Sequence, residues 1–96
     1  MMDVFRFNRE VMPLLNGFSV VRSTFPEGDF GDLERIEMAG LNKLATVEFW
    51  SSGWVAIDVF DCVCEQQVMN VLLSPAQKDL VPEAFEALLD RLIRNA

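Results

Sequence analysis

The chain has no histidine and no tyrosine, and only two cysteines among its 96 residues. Without histidine it lacks the commonest general base and the commonest metal ligand, and a Ser–His–Asp triad is impossible. Basic residues are also scarce, with 8 Lys+Arg against 15 Asp+Glu and a net charge of −7. A chain this acidic is repelled by phosphate backbones and anionic membranes, so we expect neither nucleic acid nor a membrane as a direct partner. We expect a binding protein rather than an enzyme, with no metal and no cofactor.

The two cysteines, Cys62 and Cys64, are separated by one residue. In a strand such residues lie roughly 6.5–7 Å apart at Cα, which is at or beyond the limit for a disulfide. One C-x-C is also short of the four ligands of a zinc site. We expect two reduced thiols, although a disulfide stays open if the segment is a turn. The N-terminal residues lack the pattern of a signal peptide, and no apolar run is long enough to span a bilayer, so the sequence predicts a cytoplasmic protein.

The length is that of one domain, and 51% hydrophobic residues are enough for a packed core. We therefore treat residues 1–96 as a single domain. Apolar residues at helical spacing predict a helix over residues 3–16 that ends or kinks near Met12, before Pro13; they are Val4, Phe7, Val11, Leu14 and Leu15. Patterns of β-branched and alternating residues predict strands over 18–25 and 66–73, with turns at 26–29 and 40–42. Residues 32–39 fit either a strand or a short helix, and we favour the strand.

The clearest local pattern is a hairpin over residues 44–61. Its strands flank the loop Ser51-Ser52-Gly53, and such loops favour Gly at the last position. Pairing across this loop puts Phe49 opposite Val55 and predicts two faces. One face carries Ala45, Val47, Phe49, Val55, Ile57 and Val59, and the other carries Thr46, Glu48, Trp50, Trp54, Ala56, Asp58 and Phe60. Because both faces have large apolar residues, the pattern does not decide which one the helices cover.

A second helix is predicted near the C-terminus. Ser74, Pro75 and Gln77 form a helix-start pattern, and Pro82 restarts or kinks the helix. An apolar stripe then continues to the C-terminus through Phe85, Leu88, Leu89, Leu92 and Ile93. The predicted fold is α+β: a single antiparallel sheet of four to five strands in a meander, flanked by an N-terminal and a C-terminal helix packed on one sheet face.

The acidity is concentrated in one part of the chain. Residues 27–65 carry a net charge of −7, whereas residues 1–26 carry +1 and residues 66–96 carry −1. A concentrated field of one sign attracts a basic partner, and tryptophan is enriched at binding hot spots. In the alternative interpretation, both tryptophans belong to the core and the acids form a solvated rim. The candidate partner-binding residues are Asp29, Asp32, Glu48, Trp50, Trp54, Asp58, Phe60 and Asp61.

The segment LATVEFWSSGWVAIDVFD, residues 44–61, resembles a recurring segment of the immunity proteins of bacterial contact-dependent growth inhibition and related polymorphic toxin systems. In that family a strand ending in an aromatic residue precedes a polar-polar-Gly turn and a strand of alternating acids and aliphatics. Residues 68–95 fit the family's final strand and helix, and the resemblance covers roughly residues 18–95. The connection over residues 61–65 departs from the Asp-x-x-x-Gly-Glu turn of the subgroup that neutralises tRNA-cleaving toxins.

The resemblance implies that the protein binds and neutralises the C-terminal toxin domain of such a system. That domain is expected to be a basic nuclease, and within the subgroup a tRNase, because nucleases grip phosphates with basic side chains. The inhibitor would cover the active site or the substrate surface with an acidic, aromatic-bearing sheet face. The alternative is a small acidic chaperone or adaptor for a secreted effector. Both a monomer and a homodimer stay open.

Overall fold

The computed structural model describes residues 3–94. They form an α+β fold in which a five-stranded antiparallel meander lies between an N-terminal and a C-terminal helical segment, so the predicted fold class is confirmed. Each strand pairs with its neighbours in the chain, and the sheet order is β1-β2-β3-β4-β5. The strands are β1 (Ser19–Gly28), β2 (Gly31–Gly40), β3 (Lys43–Trp50), β4 (Val55–Asp61) and β5 (Gln66–Leu73).

The N-terminal helical segment changes pitch along its length. It begins as α1 (Val4–Arg6), widens into a π-type turn over Phe7–Val11 and tightens into a 3₁₀ turn over Met12–Leu14. The tightening coincides with Pro13, which cannot donate the α-helical hydrogen bond. The predicted stripe is therefore interrupted: Leu15 is buried but Leu14 is 46% exposed. The prediction for the side chain of Val4 lies outside the described residues.

The C-terminal helical segment follows the predicted order. A 3₁₀ turn over Pro75–Leu80 precedes α2 (Val81–Leu89), which has Pro82 in its first turn, and a π-type turn over Asp90–Arg94 follows. The Gln77 side chain accepts a hydrogen bond from the Ser74 N–H at 3.0 Å, as in a capping box. Residues 95 and 96, to which the predicted helix extends, lie outside the described residues.

The first strand is longer than predicted. It continues through Pro26 to Gly28, so the turn predicted at 26–29 is wrong and the chain reverses at Asp29 and Phe30 instead. β1 tolerates the proline because it is an edge strand, and the pairing with β2 shifts register between Phe25 and Gly28.

Both helical segments pack on one face of the sheet, which we call the covered face. Its strand residues alternate along each strand and are almost fully buried; they include Ile36, Met38, Ala45, Val47, Phe49, Val55, Ile57, Val59 and Leu73. Three phenylalanine rings join the layers: Phe7 lies 6.3 Å from Phe49 and 6.0 Å from Phe85, and the rings of Phe49 and Phe85 stack at 6.0 Å. Aromatic pairs of this kind add about 0.5–1.5 kcal/mol each beyond their burial.

The connections between strands are short. Leu41 and Asn42 both have positive φ, at 51° and 61°, which matches a two-residue hairpin turn. The turn between β4 and β5 carries Cys62 and Cys64 as free, exposed thiols. Within residues 3–94, no helix is long and apolar enough to cross a membrane.

Candidate functional site

The sheet face opposite the helical segments carries the predicted tryptophans. We call it the open face. Strand pairing places on it the residues that alternate with the core. They include Val21, Phe25, Leu33, Arg35, Glu37, Leu44, Thr46, Glu48, Trp50, Trp54, Ala56, Asp58, Phe60, Asn70 and Leu72. Trp50 and Trp54 are half-buried there and are not part of the buried core, so the alternative that placed both in the core is wrong.

Large apolar side chains remain exposed on the open face. Val21 is 59% exposed, Leu72 54% and Leu44 50%, and the rings of Phe25 and Phe60 are also exposed. They come from four of the five strands, so the apolar surface extends across the sheet. Large exposed apolar patches that are rimmed by polar residues mark interaction sites on soluble proteins.

Three aromatic rings form a cluster at the end of the open face where β3 turns into β4. The ring of Phe30 stacks on Trp54 with 4.8 Å between centroids and meets Trp50 edge-on at 5.7 Å. Trp50 and Trp54 are joined through the backbone, because the Trp50 N–H donates to the Trp54 carbonyl at 3.0 Å. The predicted hairpin register is confirmed, with Phe49 opposite Val55. Phe30 was missed; an isolated aromatic residue in an acidic turn, DFGD, was the available signal.

Hydrogen bonds between two turns hold this aromatic cluster in place. The Ser51 N–H donates to the Asp32 carbonyl at 2.8 Å, and the Asp32 N–H donates to Ser51 Oγ at 2.9 Å. Ser52 donates to the Phe30 carbonyl through both its N–H and its hydroxyl. Gly31 makes this approach feasible: its φ is +93°, and a Cβ there would lie 2.2 Å from Ser51 Oγ.

The centre of the open face carries an internal ion pair. Arg35 Nη2 lies 2.8 Å from Glu48 Oε2, and its guanidinium lies 4.8 Å from the centroid of the Phe25 ring. Glu48, a predicted partner-binding residue, is thus already paired within the protein. Asp58 accepts a hydrogen bond from Gln67 Nε2 at 2.6 Å, and no Lys or Arg among residues 3–94 forms a salt bridge with it. Asp58 therefore presents an uncompensated charge on the open face.

The remaining predicted residues lie at opposite ends of the sheet. Asp29 is exposed in the β1–β2 turn, and Asp32 follows it beside the aromatic cluster. Phe60 and Asp61 lie at the other end, where Asp61 pairs opposite Lys43 and so belongs to the covered side rather than the open face. The structure therefore gathers Asp29, Asp32 and the two tryptophans at one end of the sheet and separates them from Phe60 and Asp61.

Asp61 serves the local turn. Its Oδ1 accepts the N–H of Val63 at 2.8 Å and that of Cys64 at 3.3 Å. The hydrogen bond from Val63, followed by that from Cys64, lowers the pKa of Asp61 below its ordinary value. The Asp61 carboxylate therefore stabilises the turn that follows β4.

A cleft of about 410 Å³ opens beside the tryptophans. Its lining residues include Asp3, Phe5, Asp32, Glu34, Phe49, Trp50, Trp54 and Val55. Strand alternation puts Glu34, Phe49 and Val55 on the covered side of the sheet and the tryptophan side chains on the open face, so the cleft lies at the sheet end between the two. Asp32 and the two tryptophans are among the predicted partner-binding residues, whereas Asp3 and Glu34 are not. Glu34 enters the cleft because it pairs opposite Phe49, and that register depends on the β2–β3 pairing rather than on any local pattern.

Comparison of the chain with protein-family models, with curated proteins and with solved structures finds no match.

Proposed function

We propose that this protein is a cytoplasmic immunity protein that binds the C-terminal toxin domain of a contact-dependent inhibition system. In this proposal the open face covers the toxin's active site or substrate surface. The observation that supports it best is the composition of the open face, where exposed apolar side chains lie among uncompensated acids such as Asp58 and Glu37. Core-like apolar contacts supply affinity in protein interfaces, and charges around them supply orientation and speed of association.

The distribution of negative charge supports the proposal that the partner is basic. Residues 27–65 contain β2, β3 and β4, which form the middle of the sheet, and they carry a net charge of −7. A nuclease domain is commonly basic because it neutralises phosphates with Lys and Arg. An acidic surface of this kind occupies the same basic side chains that would otherwise hold the nucleic acid.

The decisive experiment is a growth rescue. The proposal requires a large toxin gene immediately upstream of this gene. The C-terminal domain of that upstream product is expressed in a bacterial host with and without this protein. We expect toxicity without it and restored growth with it. A toxic domain that kills equally in both strains overturns the proposal, and an upstream product with no toxic domain favours the chaperone alternative.

The role of the open face is tested by matched charge reversals. The pair Glu37→Lys and Asp58→Lys changes the open face, and the pair Asp79→Lys and Glu83→Lys makes the same change in net charge on exposed positions of the C-terminal helical segment. We expect the open-face pair to slow association with the toxin domain by about tenfold or more at low salt. The control pair should slow it by less than about threefold. Equal effects of the two pairs would show that only the net charge matters.

A further inference from the structure

The β5 edge of the sheet carries no charged residue. β5 lies within residues 66–77, the longest run of the chain that has no Lys, Arg, Asp or Glu. The other edge strand, β1, contains Arg22 and Glu27. Natural edge strands commonly carry charges that discourage pairing with another chain. The β5 edge lacks this protection.

The backbone of β5 is paired on one side only. β5 is the last strand of the sheet, and its hydrogen-bonded neighbour is β4. No backbone–backbone hydrogen bond joins residues 66–73 to anything but β4 within the described part of the chain. The N–H and C=O groups of alternate residues along the outer edge are therefore available to a further strand.

The core is also incomplete at this edge. Val59 and Ile57 of β4 are 0% and 1% exposed, but Met69 and Val71, their partners on β5, are only half-buried. Leu72, on the open face of the same strand, is 54% exposed. Apolar side chains thus remain partly in water on both sides of β5, and a strand added there would bury part of this surface.

We propose that β5 pairs antiparallel with β5 of a second copy of this protein, which joins the two five-stranded sheets into one continuous sheet. Identical strands that pair about a two-fold axis form an interface that uses the same residues on both copies. Because this pairing occupies the β5 edge of each copy, the assembly closes as a dimer. The axis is perpendicular to the sheet, so the two open faces lie next to each other on the same side.

The charge distribution favours a second copy over a basic partner at this edge. Residues 27–65 carry a net charge of −7, whereas residues 66–77 carry no charge. A basic partner is attracted to the acidic middle of the sheet and finds no opposite charge on β5. Two acidic copies repel each other least where neither carries charge. Self-association therefore has its smallest electrostatic cost at the β5 edge.

Sedimentation equilibrium of the purified protein tests the dimer. Eight paired residues at about 3.3 Å each form a strip about 26 Å long, which is a small interface. We expect the mass to rise from that of a monomer toward twice 10.9 kDa, with a dissociation constant on the order of 10–100 µM. A protein that stays monomeric up to about 500 µM overturns the proposal.

Two matched variants locate the interface. Leu72→Lys and Val21→Lys each replace an exposed aliphatic residue on the open face of an edge strand, and the original side chains are 54% and 59% exposed. We expect Leu72→Lys to weaken the dimer by about tenfold or more, because a lysine on the edge disfavours strand pairing. Val21→Lys, on β1, should change it by less than about twofold. Equal weakening would show that the open faces contact each other and would overturn the β5 pairing, as would no weakening by either variant. Circular dichroism verifies that both variants are folded.

Salt dependence separates this dimer from a complex held by opposite charges. The two copies are both acidic, so screening of their repulsion should strengthen the dimer as the salt concentration rises. A dimer that weakens with salt would be held by ion pairs, which contradicts pairing through the uncharged edge.

Cross-linking provides a second measurement that does not depend on weakening the interface. Antiparallel pairing of β5 with itself brings the central Asn70 of each copy close to the two-fold axis. Asn70→Cys is made in a chain with Cys62→Ser and Cys64→Ser, and Ser19→Cys, at an exposed position of β1, is the control. With a short bismaleimide, we expect Asn70→Cys to form cross-linked dimer about tenfold faster than the control. Equal rates overturn the β5 pairing. These measurements use no toxin, so their outcome is independent of the growth rescue.

Discussion

The two faces of the sheet are made from alternate residues of the same strands, yet only the covered face forms the core. Val47 and Ile57 are almost fully buried on it, whereas Thr46 and Asp58, one residue away on each strand, lie on the open face. Both faces carry large apolar side chains. They differ in charge: acids and Arg35 interrupt the apolar residues of the open face, whereas the only buried charged residue among residues 3–94 is Lys43, at the margin of the covered face. The cost of burying unpaired charge selects the face that the helices cover.

The largest expected difference between the two faces is in the free energy of unfolding, and a pair of truncations to alanine tests it. Ile57→Ala removes buried methyl groups from the centre of the covered face and should lower the free energy of unfolding by about 2–5 kcal/mol. Leu72→Ala removes a side chain that is 54% exposed on the open face and should cost less than about 1 kcal/mol. Urea denaturation measures both. Comparable losses would mean that the open face contributes to folding as much as the covered face.

A second test asks whether the aromatic end of the open face is held rigidly. Gly31→Ala places a Cβ against Ser51 Oγ at a positive φ and should cost about 1–3 kcal/mol. Ser51→Ala alone should cost about 0.5–1.5 kcal/mol, because it leaves the Asp32 N–H without its acceptor. The double variant relieves the contact, so its loss should be smaller than the sum by at least about 0.5 kcal/mol. Strict additivity in a double-mutant cycle would argue against the close contact between the turns.

The smallest expected effect concerns Asp61 on the covered side. Its pKa is lowered in the folded protein, so its ionised form contributes stability above the pKa of the unfolded chain. That contribution is lost as the pH falls through the folded-state pKa. The difference in unfolding free energy between the wild type and Asp61→Asn should therefore shrink between about pH 6 and about pH 2. A difference that stays constant over that range would show that the charge of Asp61 does not stabilise the turn.

The local elements of the fold were predictable because their signals are local. The Ser51-Ser52-Gly53 loop set the hairpin register, and alternation along 44–61 assigned each residue to a face. The limits of β1 were not predictable, since Pro26 lies inside a strand only because that strand is at the sheet edge. The alternation of apolar residues left the covered face undecided, because both hairpin faces carry large apolar residues; the contacts of Phe7 with Phe49 and Phe85 show which face the helices cover.

The candidate site was predictable only in part, because some of its contacts depend on the pairing of separate strands rather than on local sequence. Trp50 and Trp54 follow from the hairpin alone. The pairing of Glu48 with Arg35, thirteen residues earlier, and the entry of Glu34 into the cleft depend on the register between β2 and β3. Asp61 resembled the other acids in sequence, but its hydrogen bonds to the following turn give it a structural role.

The edge of β1 also affects how copies of this protein encounter one another. An edge strand offers unpaired backbone groups on which another chain can add a strand, and such addition leads to aggregation. Two features interrupt this row of unpaired backbone groups near the end of β1: the register shift, and Pro26, which has no N–H to donate. The exposed Arg22 also places a charge along the β1 edge. The open face can thus keep its apolar side chains accessible while strand-by-strand self-association along this edge is disfavoured.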